Sequence, residues 1–225
     1  MTYFLKVLAI AFCITASTAS AQNEPRILAM GDSFFAGHKA QNKAVPNVLA
    51  KLLNEPVHNR AVPGAWIIYK LAISGSLGFK IERQYRLGNW DWIVLNGGGN
   101  DLLLGCGCNR CGARLSKMIS PDGTKGAIPR LVAKLRKSNA RVVYSGYLRS
   151  PGASSPIESC RDEGDKLDAR LARMAKRDKG VWFVSMADIV PRGDRSFHGA
   201  DMVHPSRKGS AAAAQRIAKV ISKHP

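Results

Sequence analysis

Arg26-Ile27-Leu28-Ala29-Met30-Gly31-Asp32-Ser33 decides how this chain is read. Four consecutive apolar residues, Ile27 to Met30, run without polar alternation into a glycine, an acid and a serine. A short, uniformly apolar run ended by glycine predicts a strand buried on both faces, followed by a turn. Beyond the turn the period changes. Val45, Val48, Leu49 and Leu52 recur at spacings of three and four within 40–54, which predicts a helix with one apolar stripe.

Outward from that stretch the same alternation continues. Val57 to Val62 predicts a second strand closed by Pro63-Gly64, and Trp90 to Leu95 a third closed by Gly97-Gly98-Gly99. Arg141 to Ser145 and Val181 to Met186 predict the fourth and fifth. Leu167, Leu171 and Met174 mark a helix between these two, and the alanine-rich tail from Lys208 to Ile221 a last one. Apolar strands separated by helices predict an α/β fold, a mostly parallel five-stranded sheet with helices on both faces in a three-layer sandwich. Open sheets of this kind place their sites at the C-terminal ends of the strands, where this chain carries its unusual polar residues.

The first 21 residues read as a secretory leader. Lys6 is their only charged side chain, Val7 to Ile14 are mostly apolar, and Ala19-Ser20-Ala21 supplies small residues for cleavage before Gln22. The apolar stretch is short for a membrane span, although a retained anchor is the alternative. Residues 22–225 are then expected to form a single domain in the periplasm or outside the cell, with no transmembrane segment. The formal charge of +18, from 34 Lys and Arg against 16 Asp and Glu, favours anionic surroundings such as membrane headgroups or acidic polysaccharide. The basic residues Arg130, Lys134, Arg136, Lys137, Arg141 and Arg149, then Arg170, Arg173, Lys176 and Arg177, have no interleaved aromatics that would form a stacking platform for bases. Nucleic acid is therefore not an expected partner.

Two polar sequences stand at opposite ends of the domain, Gly31-Asp32-Ser33 and Asp201-Met202-Val203-His204-Pro205. A serine hydroxyl becomes a competent nucleophile when a histidine takes its proton and an acid holds that histidine in the right tautomer. Ser33, His204 and Asp201 supply those types, with Pro205 and Ser206 suited to ending the loop and capping the next helix. An ordinary turn and cap fits Asp201 and Ser206 as well. Developing negative charge needs donors, and the Ser33 N–H, the Gly64 N–H and the Asn100 side-chain amide are the candidates for an oxyanion hole.

These blocks resemble the SGNH, or GDSL, hydrolase family. Gly31-Asp32-Ser33, Gly64, Gly98-Gly99-Asn100-Asp101 and Asp201-Met202-Val203-His204-Pro205 occur in the order of that family. The resemblance implies Ser33 as nucleophile, His204 as general base and acid, and Asp201 as its orienting partner. It implies acyl transfer to water with no cofactor and no metal, on a small or polymer-attached ester. Two departures carry expectations of their own. Asn59-Arg60-Ala61 stands where relatives often have Asn-x-Gly, which bears on local loop geometry. Met202 stands where relatives often have glycine, and its bulk is expected to narrow the mouth of the site.

Cys106, Cys108, Cys111 and Cys160 remain once Cys13 leaves with the leader, and four cysteines allow three full pairings. Export favours disulfides over thiols. Cys106 with Cys108 is the least favourable local pair because one intervening residue constrains the geometry, leaving Cys106–Cys111 or Cys108–Cys111 with Cys160 taking the remainder. A zinc site is the alternative, poorly matched by the one-residue spacing. Either favoured pairing ties the segment after Asn100 to the loop after the fourth strand. Trp66 and Tyr69 are groove or core candidates, and Arg149 meets an anionic substrate or lies on the surface. His38 and His58 read as structural or solvent-facing. Asp32 reads as a support for the turn.

The sequence thus points to an exported serine esterase acting on an acylated carbohydrate or an envelope lipid. Two other functions fit the same residues: a noncatalytic envelope or polysaccharide-binding module, and an acyltransferase to a sugar hydroxyl.

Overall fold

A computed structural model describes residues 24–152 and 155–224, so the leader assigned to residues 1–21 lies outside the described residues. The chain runs β1 (Ile27–Met30), α1 (Ser33–Ala36), α2 (Val45–Leu53), β2 (Val57–Asn59), α3 (Ala72–Ser74), β3 (Trp92–Leu95), α4 (Gly99–Cys106), α5 (Gly112–Met118), α6 (Ala127–Arg136), β4 (Arg141–Ser145), α7 (Arg161–Ala175), β5 (Val181–Val184) and α8 (Arg207–Lys223). The strands form one sheet in the order β2-β1-β3-β4-β5, and every pairing is parallel. β1 lies inside the sheet, with Ile27 opposite both Val57 and Trp92.

The sheet is sandwiched because successive residues of each inner strand serve different cores. Leu28 and Met30 of β1, Ile93 and Leu95 of β3 and Val142 and Tyr144 of β4 pack against Leu102, Leu115, Met118, Leu131, Leu135 and Leu171 from α4 to α7. Ile27, Ala29, Val94 and Val143 pack on the other face against Phe35, Val45, Leu49, Ala214, Ile217 and Ile221 from α1, α2 and α8. Both faces are thereby closed to water, which is why these strands read as continuous apolar runs rather than alternating ones.

Three strands are shorter than the sequence predicts. The run Val57–Val62 yields β2 only to Asn59, yet Arg60 and Val62 still donate to Ala29 and Gly31 carbonyls, so backbone pairing follows β1 up to its turn. β3 starts at Trp92, and the Trp90 indole instead donates to the Arg86 carbonyl. β5 ends at Val184, where the Gly146 N–H takes the last sheet bond. α6 has no counterpart in the sequence reading, where its basic residues alone stood out. Its Ile128, Leu131, Val132 and Leu135 are buried at helical spacing, and Pro129 is tolerated because it sits in the first turn. The last helix is longer than expected at both ends, and the Ser206 hydroxyl caps it by accepting from the Gly209 N–H at 3.1 Å.

Candidate functional site

Ser33 is held at the end of β1 by a turn that no larger residue at position 31 would permit. A Cβ on Gly31 would fall on the side-chain oxygen of Asn96, which accepts from the Asp32 N–H at 3.2 Å. Buried Gln84 grips the same glycine from the other side, accepting from its N–H at 2.7 Å and donating to its carbonyl at 2.8 Å. Asp32 caps α1 by accepting from the Phe34 N–H at 2.9 Å, which orients the serine at the first helical position. The sequence reading of Asp32 as a support for the turn holds, but its partners Asn96 and Tyr147, and the hold of Gln84 on Gly31, were not foreseen.

Asp32 is buried, and burial pushes its carboxyl above the usual range against bonds from Tyr147, Phe34 and Asn96 that favour the charge. The Tyr147 hydroxyl donates to Asp32 Oδ2 at 2.5 Å and accepts from the Gly99 N–H at 3.1 Å. Burial, then the nearby Asp32 charge, holds the Tyr147 phenol well above its ordinary value, so it remains a donor. One tyrosine thereby joins the turn that carries Ser33 to the first turn of α4.

The distant histidine arrives through a loop closed on itself. The Gly199 N–H donates to the His204 carbonyl at 2.8 Å, and His198 pairs with Pro205 as an isolated antiparallel bridge. Asp201 Oδ1 accepts from the Val203 and His204 N–H groups at 3.0 Å each, while Oδ2 lies 2.5 Å from His204 Nδ1. His204 Nε2 lies 2.9 Å from Ser33 Oγ. Burial works against the Asp201 charge, but the bonds from the His204 ring and the two backbone N–H groups outweigh it and bring its pKa down to about 2. An ionised Asp201 accepts from Nδ1–H, so Nε2 carries the lone pair and can receive the Ser33 proton. His38, read from the sequence as structural or solvent-facing, braces the loop by donating from Nε2 to the Pro205 carbonyl at 3.0 Å. His58 stacks on Trp90.

Of the three predicted oxyanion donors, Asn100 lies beside Ser33 in the lining of one cavity. One Asn100 amide hydrogen is committed to the Ala65 carbonyl at 2.8 Å, fixing the amide and leaving its second N–H. Gly64, one residue before Ala65, has a φ of 74°, a backbone region that favours glycine, although it lies outside the cavity lining. Among the described residues no hydrogen bond occupies the Ser33 or Gly64 N–H. Asn59 Oδ1 accepts from the Ala61 N–H, so the departure at Ala61 leaves that turn closed.

The cavity has a volume of about 360 Å³ and extends from Ser33 and His204 along Leu103, Leu104, Ile157, Leu167 and Val203. Its wall includes Cys160, which is bonded to Cys108, while Cys106 is bonded to Cys111. All four sulfurs are thus paired, and none is left as a thiolate for the zinc alternative. Three expectations are corrected. Met202 is 4% exposed, lies outside the cavity lining and has a φ of 56°, so its side chain turns into the protein and does not narrow the mouth. The glycine common at that position in relatives suits the left-handed backbone, which Met202 tolerates at some strain. Arg149 is not on the surface: it is buried in the wall of the cavity and ion-paired with Asp165 and Asp168 at 2.8 and 2.9 Å. Trp66 and Tyr69 are not in the cavity lining; Trp66 lies under the Arg114 guanidinium and Tyr69 stacks on Phe79.

Comparison with known proteins agrees with this fold. Among solved structures, a candidate SGNH hydrolase from Slackia heliotrinireducens is 21% identical, with 88% of this chain and 100% of that chain covered and a TM-score of 0.59. The acetyl xylan esterase Est2A from Butyrivibrio proteoclasticus is 18% identical, with 88% of this chain and 64% of that longer chain covered and a TM-score of 0.56. A family two carbohydrate esterase from Clostridium thermocellum is 18% identical, with 89% and 64% covered and a TM-score of 0.58. At these identities the likeness is one of fold. No curated protein matches the sequence. The family described as GDSL-like Lipase/Acylhydrolase matches residues 29–212, from within β1 into α8. A match that spans the sheet and both polar ends of the domain places this chain in the GDSL-like lipase/acylhydrolase family, the SGNH hydrolases that act on ester bonds.

Proposed function

We propose that the protein is an exported serine esterase that hydrolyses carboxylic esters through an acyl-enzyme on Ser33. The observation that carries this reading is the continuous path from Asp201 Oδ2 through the His204 ring to Ser33 Oγ, 2.5 and 2.9 Å in its two steps. His204 Nε2 takes the hydroxyl proton as Ser33 Oγ attacks the ester carbonyl, and Asp201 stabilises the imidazolium that forms. The Ser33 and Gly64 N–H groups and the free N–H of Asn100 receive the oxyanion. Collapse of the tetrahedral intermediate breaks the bond to the alcohol oxygen, which leaves with the proton from His204. Water, deprotonated by the same imidazole, then releases the acid and restores Ser33.

The aliphatic cavity beside Ser33 favours an acyl group longer than acetyl, from an acylated carbohydrate or an envelope lipid. The carbohydrate esterases among its structural neighbours support ester chemistry on sugars as one setting for that acyl group. The leader at residues 1–21 and the two disulfides support a periplasmic or secreted domain beginning at Gln22. Among the described residues no helix is long and apolar enough to cross a membrane.

The decisive experiment labels the protein with a fluorophosphonate and follows turnover of acetyl, octanoyl and longer esters by product mass. Labelling confined to Ser33, with turnover lost in Ser33→Ala, supports the assignment. Ligand binding without labelling or turnover would support the noncatalytic module instead, and acceptor-dependent formation of an acylated sugar would support transfer.

A further inference from the structure

Between Gly64 and Ile81 the chain makes an excursion whose tip holds aliphatic side chains in water. Leu71, Ile73 and Leu77 are 66%, 84% and 72% exposed. They are half of the six exposed large hydrophobics among the described residues, gathered into seven positions, so the cluster is not scattered surface leucine. No charged residue interrupts the stretch from Leu71 to Phe79. Ile73 on α3 and Leu77 on its continuation Gly75–Phe79 are four positions apart and share a face.

The base of the excursion is clamped. The Trp66 N–H donates to the Phe79 carbonyl at 2.8 Å, and the Ile81 N–H to the Trp66 carbonyl at 3.0 Å. Buried Asp101 accepts from the Ile67 and Ile68 N–H groups at 2.8 and 3.0 Å, tying the excursion to α4. The Tyr69 and Ser74 hydroxyls meet at 2.9 Å, and Gly75 and Gly78 are the residues packed inward. The apolar tip is therefore held outward by its own frame.

The sequence on either side of it is basic. Exposed Lys70 precedes the tip and makes no ion pair among the described residues. Lys80, Arg83 and Arg86 follow it, with Glu82 neutralising Lys80 at 3.0 Å. The whole chain carries +18, a field that draws it toward anionic surfaces. Protein interfaces are anchored by aromatic and arginine side chains, and this tip presents neither. Aliphatic side chains beside lysine instead suit the boundary between acyl chains and acidic headgroups.

We propose that residues 71–77 form a docking surface for an anionic lipid bilayer, with Leu71, Ile73 and Leu77 entering the headgroup boundary and Lys70 meeting acidic headgroups. This surface goes beyond the esterase reading and does not depend on the reactivity of Ser33. The test is sedimentation of the protein with vesicles of phosphatidylcholine containing phosphatidylglycerol and with vesicles of phosphatidylcholine alone. Binding to the anionic vesicles is expected, weakening as salt is added. The paired substitution Ile73→Asp and Leu77→Asp is expected to weaken it at least about tenfold, with thermal melting and turnover of a soluble ester unchanged. Lys70→Glu weakens binding to anionic vesicles alone, and Ser33→Ala leaves binding intact, which separates this proposal from the catalytic one. If the aspartate pair does not fold, Ile73→Gln gives the same reading. Failure of the unaltered protein to bind, undiminished binding by the tip variants, or a tip-dependent dimer in place of vesicle binding would each overturn the proposal.

Discussion

The Tyr147 hydroxyl and the Asp32 carboxylate meet at 2.5 Å across 115 positions of sequence, beneath the residue that the sequence nominates as nucleophile. Tyr147→Phe removes a donor from a buried carboxyl and leaves the Gly99 N–H without its acceptor. Loss of a partner inside a buried network costs about 1–3 kcal/mol. The expected result in urea denaturation is a lower midpoint with an unchanged slope. Ester turnover should fall with it, because the two linked turns carry Ser33 and Asn100.

Asp201 sets a second, separable dependence. Its folded pKa of about 2 lies below the ordinary value of 3.8, so the stability it contributes is present above that value and is lost as pH falls toward 2. The carboxylate is half exposed, which keeps the effect modest. Asp201→Asn should flatten this part of the acid-stability profile. It should also reduce kcat/KM by on the order of 10³–10⁴ with the fold retained, since the wrong tautomer of His204 would be favoured. Acid titration followed by circular dichroism, beside a rate profile, separates the two effects.

Removing the long-range disulfide tests the wall of the cavity. The bond closes a span of 52 residues between Cys108 and Cys160. Paired Cys108→Ser and Cys160→Ser should lower stability by about 2–4 kcal/mol while Cys106–Cys111 remains. Discrimination between long and short acyl chains should also relax. Intact mass should rise by about four units on full reduction of the unaltered protein, one hydrogen for each thiol formed.

Filling the cavity should change substrate choice more than chemistry. Ile157 lines it from the segment just before the Glu158–Cys160 turn. Ile157→Trp is expected to reduce kcat/KM for an octanoyl ester at least about tenfold while sparing an acetyl ester. Equal losses for both esters would show that the acyl chain lies elsewhere.

The fold was legible where local pattern and tertiary role coincide. All five residues of β4 were foreseen because that strand runs apolar from Val142 to Tyr144 and is covered on both faces. α6 was hidden because its solvent face is so basic that the buried Ile128, Leu131, Val132 and Leu135 did not stand out. In the site, Ser33, Asp201 and His204 were legible by residue type and by their place at opposite ends of the domain. Asn96 and Gln84 were not, since the partner of a buried backbone group is chosen by which side chain the packed sheet delivers to it. Arg149 misled for a related reason: its burial rests on Asp165 and Asp168, contributed by a helix whose approach no local spacing announces.

The division of β1 between two cores constrains the length of this stretch as well as its composition. Leu28 and Met30 belong to one side, Ile27 and Ala29 to the other, and the strand feeds without slack into Gly31 and Ser33. Inserting or deleting a single residue there would exchange the two sets and swing the hydroxyl out of reach of the imidazole. Homologous sequences should therefore vary in which apolar residues fill this segment while keeping the count from its first residue to the serine free of gaps.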